Sequence, residues 1–102
     1  VSATSGVFSV SSDIRVKNPK GIFSRGLEAV LALNPVVYDF KQDIHHLTRA
    51  GFYAHEVEAY IPEAVFHDSP DGMLSLDDRP IIAALVNSIK ELVQRIAQLE
   101  NQ

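Results

Sequence analysis

Near the C-terminus, Ile82, Leu85, Ile89, Leu92, Ile96 and Leu99 recur at alternating spacings of three and four. This places isoleucine at a and leucine at d of a heptad seam. The spacing predicts one long helix over about 80–101, with Pro80 at its first position. Asp77 and Asp78 precede it and favour the positive end of its dipole. In a chain of 102 residues, little sequence remains beyond Glu91 to cover the seam, so the seam is expected to pack against copies of itself. Ile at a with Leu at d leans towards two strands. Val86 and Val93 at the e positions widen the apolar stripe, which suits a larger assembly or packing on the domain's own body. The heptads leave the number of strands open.

The length fits one small domain whose single core is marginal, and association is a natural source of extra burial. The formal net charge is -4 with no basic run, which argues against nucleic acid as a partner. No apolar run reaches membrane-spanning length and no signal-peptide pattern is present, so no membrane partner is expected. With no cysteine, disulfides and thiolate metal sites are excluded. His45, His46, His55 and His67 lack metal-ligand spacing, and neighbours such as His45 and His46 point to opposite faces of a strand, so no metal or other cofactor is expected. An opening Val1 rather than Met predicts a piece of a longer chain.

The rest of the chain alternates short elements. Residues 1–11, with only Val7, Phe8 and Val10 hinting at alternation, predict an extended tail or the end of an upstream β-rich domain. Asn18-Pro19 and Lys20-Gly21 are turn signals. A helix fits Ser24 to about Leu33, with Ser24 as N-cap and Leu27, Val30 and Leu31 on one face, and Asn34-Pro35 ends it. Val36–Phe40 reads as a strand, Asp43–Ala50 as a hairpin-like connection and Gly51–Ala54 as the partner strand. A short helix over His55–Tyr60 precedes Pro62, and Glu63–His67 is extended. Ser69-Pro70-Asp71-Gly72 is a turn leading into a strand at Met73–Leu76. Glu56 and Glu58 read most simply as solvated residues of their short helix.

Chemistry concentrates in Ser11-Ser12-Asp13-Ile14-Arg15-Val16-Lys17. A serine hydroxyl becomes a nucleophile when a base takes its proton. A lysine amine is that base only when burial or a nearby positive charge favours its neutral form, and Arg15 is a candidate for that charge. In an extended chain Ser12 faces away from positions 13, 15 and 17. Ser12 and Lys17 therefore meet only if the chain turns between them, or across protomers.

Three blocks then line up in order: Ser12-Asp13-Ile14-Arg15-Val16-Lys17; Gly51-Phe52-Tyr53-Ala54-His55-Glu56-Val57-Glu58-Ala59-Tyr60-Ile61-Pro62-Glu63-Ala64-Val65; and Leu74-Ser75-Leu76-Asp77-Asp78 leading into Leu85–Leu92. Together they resemble the C-terminal intramolecular chaperone domain of phage tailspikes and tail fibres. This is the endosialidase-type, self-cleaving serine–lysine family that also includes the myelin regulatory factor. The resemblance covers roughly residues 10–100. His55 stands where that family has Gln, and the aromatic often found near Asp78 is missing.

The resemblance implies an α+β fold: a small mixed domain, residues 12–102, whose long C-terminal helix forms a trimeric coiled coil or helix bundle. It implies a homotrimer at the end of a β-rich fibre that sets the register of the upstream domain of the same chain and then releases itself. The precursor of a phage virion tail, folded in the host cytoplasm, is the implied setting. Carried over, Ser12 is the catalytic nucleophile and Lys17 the general base, with Asp13 and Arg15 in support. The cut falls next to Ser12, among Ser11, Ser12 and Asp13. Attack on the preceding carbonyl passes through a five-membered ring and favours Ser11–Ser12 within one chain. A cut between Ser12 and Asp13 needs a hydroxyl from elsewhere. The side is left open, and backbone amides near Asn18–Gly21 are candidates for the oxyanion site. The alternative is a non-cleaving trimerisation and capping module. A membrane-anchored processing domain would need a downstream membrane helix, and Gln102 is reached without one. A small adaptor binding through its exposed helix ranks last.

Overall fold

The computed structural model describes residues 11–102, so all but the last residue of the expected N-terminal tail lies outside the described residues. The fold is α+β. Helices α1 (Leu27–Leu31), α2 (Ala54–Glu58) and α3 (Asp78–Glu100) combine with two hairpin-like pairs of strands. β1 (Val36–Tyr38) pairs antiparallel with β2 (Arg49–Gly51), and β3 (Val65–Phe66) with β4 (Ser75–Leu76).

The 23 residues of α3 make a rod about 34 Å long. Asp77 caps it, accepting the Arg79 N–H at 3.1 Å. The helix therefore starts two residues before the expected Pro80, and Asp78 lies inside its first turn rather than before it. Pro80 sits third, where an N–H has no intrahelical partner in any case, so the ring is tolerated. Ile81, Ala84 and Ser88 form the buried face of α3. The Ser88 hydroxyl satisfies itself on the Ala84 carbonyl at 2.7 Å. Against this face pack Val57, Ile61, Ala64 and Val65, with Phe23, Ala29, Val30, Leu33, Phe52, Leu74 and Leu76 around them. Ile61 and Val57 are the largest side chains fully withdrawn from water. They come from the second sequence block, whose packing around the Pro62–Ala64 3-10 turn accounts for its dense apolar content.

Helix α1 is too short to hold itself together. Its start is not capped by Ser24, as the sequence suggests; Gly26 stands at the N-cap with no side-chain partner. The partners come from α3. The Glu91 carboxylate accepts the Leu27 N–H at 2.6 Å. The Asn87 amide donates to the Phe23 and Arg25 carbonyls at 2.9 and 2.8 Å. A Cβ on Gly26 would collide with the Glu91 carboxylate, so glycine is what lets the helix and the loop approach. The sequence reading put Leu31 on the inner face, but it is 74% exposed. Leu27 and Val30 face inward as expected, and Ala29 and Leu33 join them in place of Leu31, because α1 ends at Leu31 and the chain changes course before Leu33.

The remaining boundaries shift by a few residues. β2 starts at Arg49 rather than Gly51, because β1 ends at Tyr38 and the pairing Tyr38↔Arg49 draws the return strand earlier. Phe52 packs on the core and Tyr53 becomes the N-cap of α2. Asp43 organises the connection, its carboxylate accepting the His45 and Leu47 N–H groups at 3.0 and 3.2 Å. The expected extended piece at Glu63–His67 is part 3-10 turn, since Pro62 presets a helical φ. The Ser69–Gly72 turn forms as expected, with Gly72 at φ 81. Arg25 pairs with Glu63 at 2.6 Å across the surface between the loop before α1 and the Pro62 turn. That guanidinium holds the Glu63 carboxyl below its ordinary range.

Removing the Asn87 amide leaves two carbonyls without donors, so Asn87→Ala is expected to lose about 1–3 kcal/mol of stability. Gly26→Ala is expected to lose a comparable ~1–3 kcal/mol, because the Glu91 carboxylate must swing off the Leu27 N–H to make room. Ile22→Ala, at a side chain 97% exposed, should stay within ~0.5 kcal/mol. Urea unfolding at one fixed protein concentration measures all three.

Candidate functional site

The turn that would bring Ser12 and Lys17 together is present. Ile14–Val16 form one turn of 3-10 helix with Asp13 as N-cap. The Val16 N–H donates to the Asp13 carbonyl and the Lys17 N–H to the Ile14 carbonyl, both at 3.1 Å. This reverses the extended geometry that would put residues 12 and 17 on opposite faces. Lys17 Nζ donates to Ser12 Oγ at 2.8 Å, within a single chain. Both residues are exposed, as are Ile14 at 72% and Val16 at 65%. Ser11 and Asp13 lie beside them on the surface.

Asp13 and Arg15 do more than flank the pair. Asp13 Oδ1 accepts the Arg15 N–H at 2.9 Å and the guanidinium Nε at 3.1 Å, while Oδ2 accepts Nη2 at 2.9 Å. Arg15 lowers the Asp13 carboxyl, through its guanidinium first and its backbone N–H second. The pairing offsets the charge of Arg15, so the positive charge expected to act on Lys17 is spent on Asp13 instead. Residues 18–20 run on as exposed, irregular chain to Gly21, at φ 125.

The six seam residues lie along α3 as the heptad spacing requires. Ile82, Leu85, Ile89, Leu92, Ile96 and Leu99 are each between 43% and 67% exposed, and so are Val86 and Val93. The long helix thus has a narrow face of Ile81, Ala84 and Ser88 turned into the domain and a broad apolar face left largely exposed. The sequence reading did not assign the polar pair at the end of the narrow face. Asn87 and Glu91, four apart beside the Ile81–Ala84–Ser88 stripe, hold the loop before α1. Their signal was there: two polar groups on the covered side of an amphipathic helix need partners.

The histidines are scattered. His46 lies 3.5 Å from Asp39, His55 4.0 Å from Glu56, and His67 bonds Glu58. That last bond ties Glu58 to the end of β3, so it is more than a solvated residue. Among the described residues no three candidate ligands gather into a metal site, and no helix is long and apolar enough to cross a membrane. Two open grooves, of about 580 and 740 Å³, lie by α1 and by the β1–β2 hairpin, and neither includes Ser12 or Lys17. The serine–lysine pair sits on open surface.

Residues 12–66 match the family described as chaperone of endosialidase, which is classed as a peptidase family. The chain belongs to this family. It is also 33% identical, over 99 aligned positions, to the long tail fiber protein Gp37 of Enterobacteria phage K3 and to that of Enterobacteria phage T2. In each case 91% of this chain is covered. The chain spans 8% of the length of the first relative and 7% of the second. The family match begins at Ser12 and takes in the turn, the hairpin and the core block through Phe66. The relatives extend the likeness over most of the chain, α3 included.

The Asp13 carboxyl is expected to titrate below the ordinary aspartate value and to move up towards it in Arg15→Ala, which removes the larger of the two lowering contacts. Carbon-detected NMR of the Asp13 carboxyl measures both. An unchanged midpoint in the variant would show that the guanidinium is not engaged in solution.

Proposed function

We propose that this domain trimerises, sets the register of a phage tail fibre or tailspike as its intramolecular chaperone, and then releases itself by one cut next to Ser12. The observation that carries the reading is the Lys17 Nζ–Ser12 Oγ contact of 2.8 Å in a chain of this family. The setting is the tail of a phage particle, with the fibre folding in the host before release.

The chemistry follows from the pair. Neighbouring copies that cover Lys17 remove the water solvating its ammonium form and favour the neutral amine. The amine then accepts the Ser12 hydroxyl proton as Oγ attacks a carbonyl carbon. Within one chain that carbonyl is Ser11's. The C–N bond breaks, the lysine proton passes to the departing Ser12 nitrogen, and an ester joins Ser11 to Ser12 Oγ. Water hydrolyses the ester, giving a Ser11 carboxylate and restoring the hydroxyl. A cut after Ser12 instead requires the hydroxyl of another copy, because a residue's own hydroxyl would need a four-membered ring to reach its own carbonyl. Lys17 remains the base in either route, and one turnover is the whole of the activity.

The bare seam supports the assembly step. Burying six large apolar side chains between copies contributes on the order of 1.5–3 kcal/mol for each one fully covered. Ile at a with Leu at d by itself leans towards two strands, so the count of three rests on the family resemblance and not on the heptads. Long β-rich chains pair slowly and slip in register, and three of them held at one end meet at high effective concentration. Cutting the domain away leaves the fibre kinetically trapped.

A second reading, a non-cleaving trimerisation and capping module, is favoured by the openness of the pair, since an exposed amine keeps its solvating water. Intact-mass spectrometry of the chain, expressed with its natural upstream sequence, separates the two. Cleavage beside Ser12, lost in Ser12→Ala and in Lys17→Ala, supports the autoprotease, and the fragment masses name the bond. A wild-type chain that stays whole in assembled trimers supports the cap. For the seam, Ile89→Asp with Ile96→Asp is expected to convert the assembly to monomers in sedimentation equilibrium and to slow any cut at least about tenfold. Full-rate cleavage by monomers would sink the coupling of the cut to assembly.

A further inference from the structure

We infer that Asp13 is a positioning residue for the self-cleavage, acting as the cap of the turn that carries Lys17 to Ser12. The inference rests on the autoprotease reading for its consequence and on local geometry for its basis. Four residues separate a nucleophile and a base that an extended chain would hold on opposite faces. What reverses the chain is a single 3-10 turn at Ile14–Val16. One such turn is poorly stable by itself, with few internal hydrogen bonds. Its side chains give no anchoring, because Ile14 and Val16 stay exposed and nothing in the turn is buried.

Asp13 supplies the missing hold. Its carbonyl accepts the Val16 N–H at 3.1 Å and its carboxylate accepts the Arg15 N–H at 2.9 Å, so backbone and side chain both close the turn. This is the N-cap arrangement, in which a short side-chain acceptor satisfies a donor the turn leaves free. The Arg15 guanidinium grips the same carboxylate from the outer side at 3.1 and 2.9 Å and fixes its orientation towards the turn. Asp13 touches neither Ser12 Oγ nor Lys17 Nζ among the recorded hydrogen bonds. It acts through the backbone. The alignment of the pair is therefore built into one chain before any partner arrives, and assembly is left with the task of excluding water.

Asparagine caps as well as aspartate but carries no charge, which separates capping from electrostatics. In the chain with its natural upstream sequence, Asp13→Ala is expected to cleave at least about tenfold more slowly, as loss of alignment predicts. Asp13→Asn is expected to stay within about threefold of wild type, since it keeps the acceptor. Both variants release the Arg15 guanidinium from its carboxylate, so an effect of charge alone would be the same in the two, whereas capping is kept only by asparagine. Wild-type rates in Asp13→Ala would overturn the inference. A rate lost equally in Asp13→Asn would overturn it in favour of a charge effect. Should the wild-type chain not cleave, the autoprotease reading falls by itself. The capping claim is then decided by nuclear Overhauser contacts between the Lys17 and Ser12 side chains. Their loss in Asp13→Ala and survival in Asp13→Asn uphold it, and their survival in both overturns it.

Discussion

The domain depends on a clasp between two polar side chains of the long helix and the backbone of the loop before α1. Asn87 and Glu91 take up two carbonyls and one N–H of that loop. Without them a five-residue helix would have no cap and no reason to persist. With them, α1 lies along α3 and closes one side of the core around Ile61 and Val57. The glycine at position 26 belongs to the same device, since any larger residue would keep the carboxylate away. The segment leading from the serine–lysine pair into the domain is thereby tied to the helix that carries the seam.

That helix divides its labour between its faces. The inner face uses Ala84 and Ser88 where a larger residue would hold the layers apart. The outer face carries isoleucine and leucine, left between 43% and 67% exposed by the described residues. A single copy would not gain by exposing so much apolar surface, and larger contiguous patches of this kind mark interaction sites. Small domains of this length have little core to spend, and here much of the apolar content lies on a face that the described residues leave open. The division is consistent with a domain whose stability and whose assembly are one event.

How far the sequence could be read follows the same physics. The long helix and its seam were legible because a heptad period is a property of spacing alone, and only the first two residues were missed, where Asp77 proved the better cap. The hairpin, the Ser69–Gly72 turn and the order of elements were legible from Pro, Gly and β-branched residues. Helix α1 was misplaced at its start because its cap is supplied by residues more than sixty positions away, and local propensity carries no trace of that. Leu31 was assigned to the wrong face for a related reason: in a helix of one and a half turns, periodicity is too short to choose. At the site, the sequence stated the condition that Ser12 and Lys17 need a turn between them, and named Arg15 as a charge for the lysine. The turn is there. The charge is committed to Asp13, which lies only two residues away and within reach of the guanidinium.

These features separate two requirements that a self-cutting chaperone must meet in the right order. Alignment of nucleophile and base is a local problem, solved by seven residues and one capped turn. Activation of the base is a problem of solvent, and the described residues leave the pair open beside uncovered Ile14 and Val16. The same is true of the seam. If both surfaces are covered by the same event, the cut cannot run ahead of the assembly it terminates. If the proposed cut occurs, a pair aligned within one chain reacts as soon as water is excluded, and its open surface holds it back until then. A buried pair in the monomer would sever the domain from its fibre before the register was set, and a pair formed only across protomers would make alignment, as well as desolvation, wait on the contact. The arrangement found here avoids the first failure without paying the cost of the second.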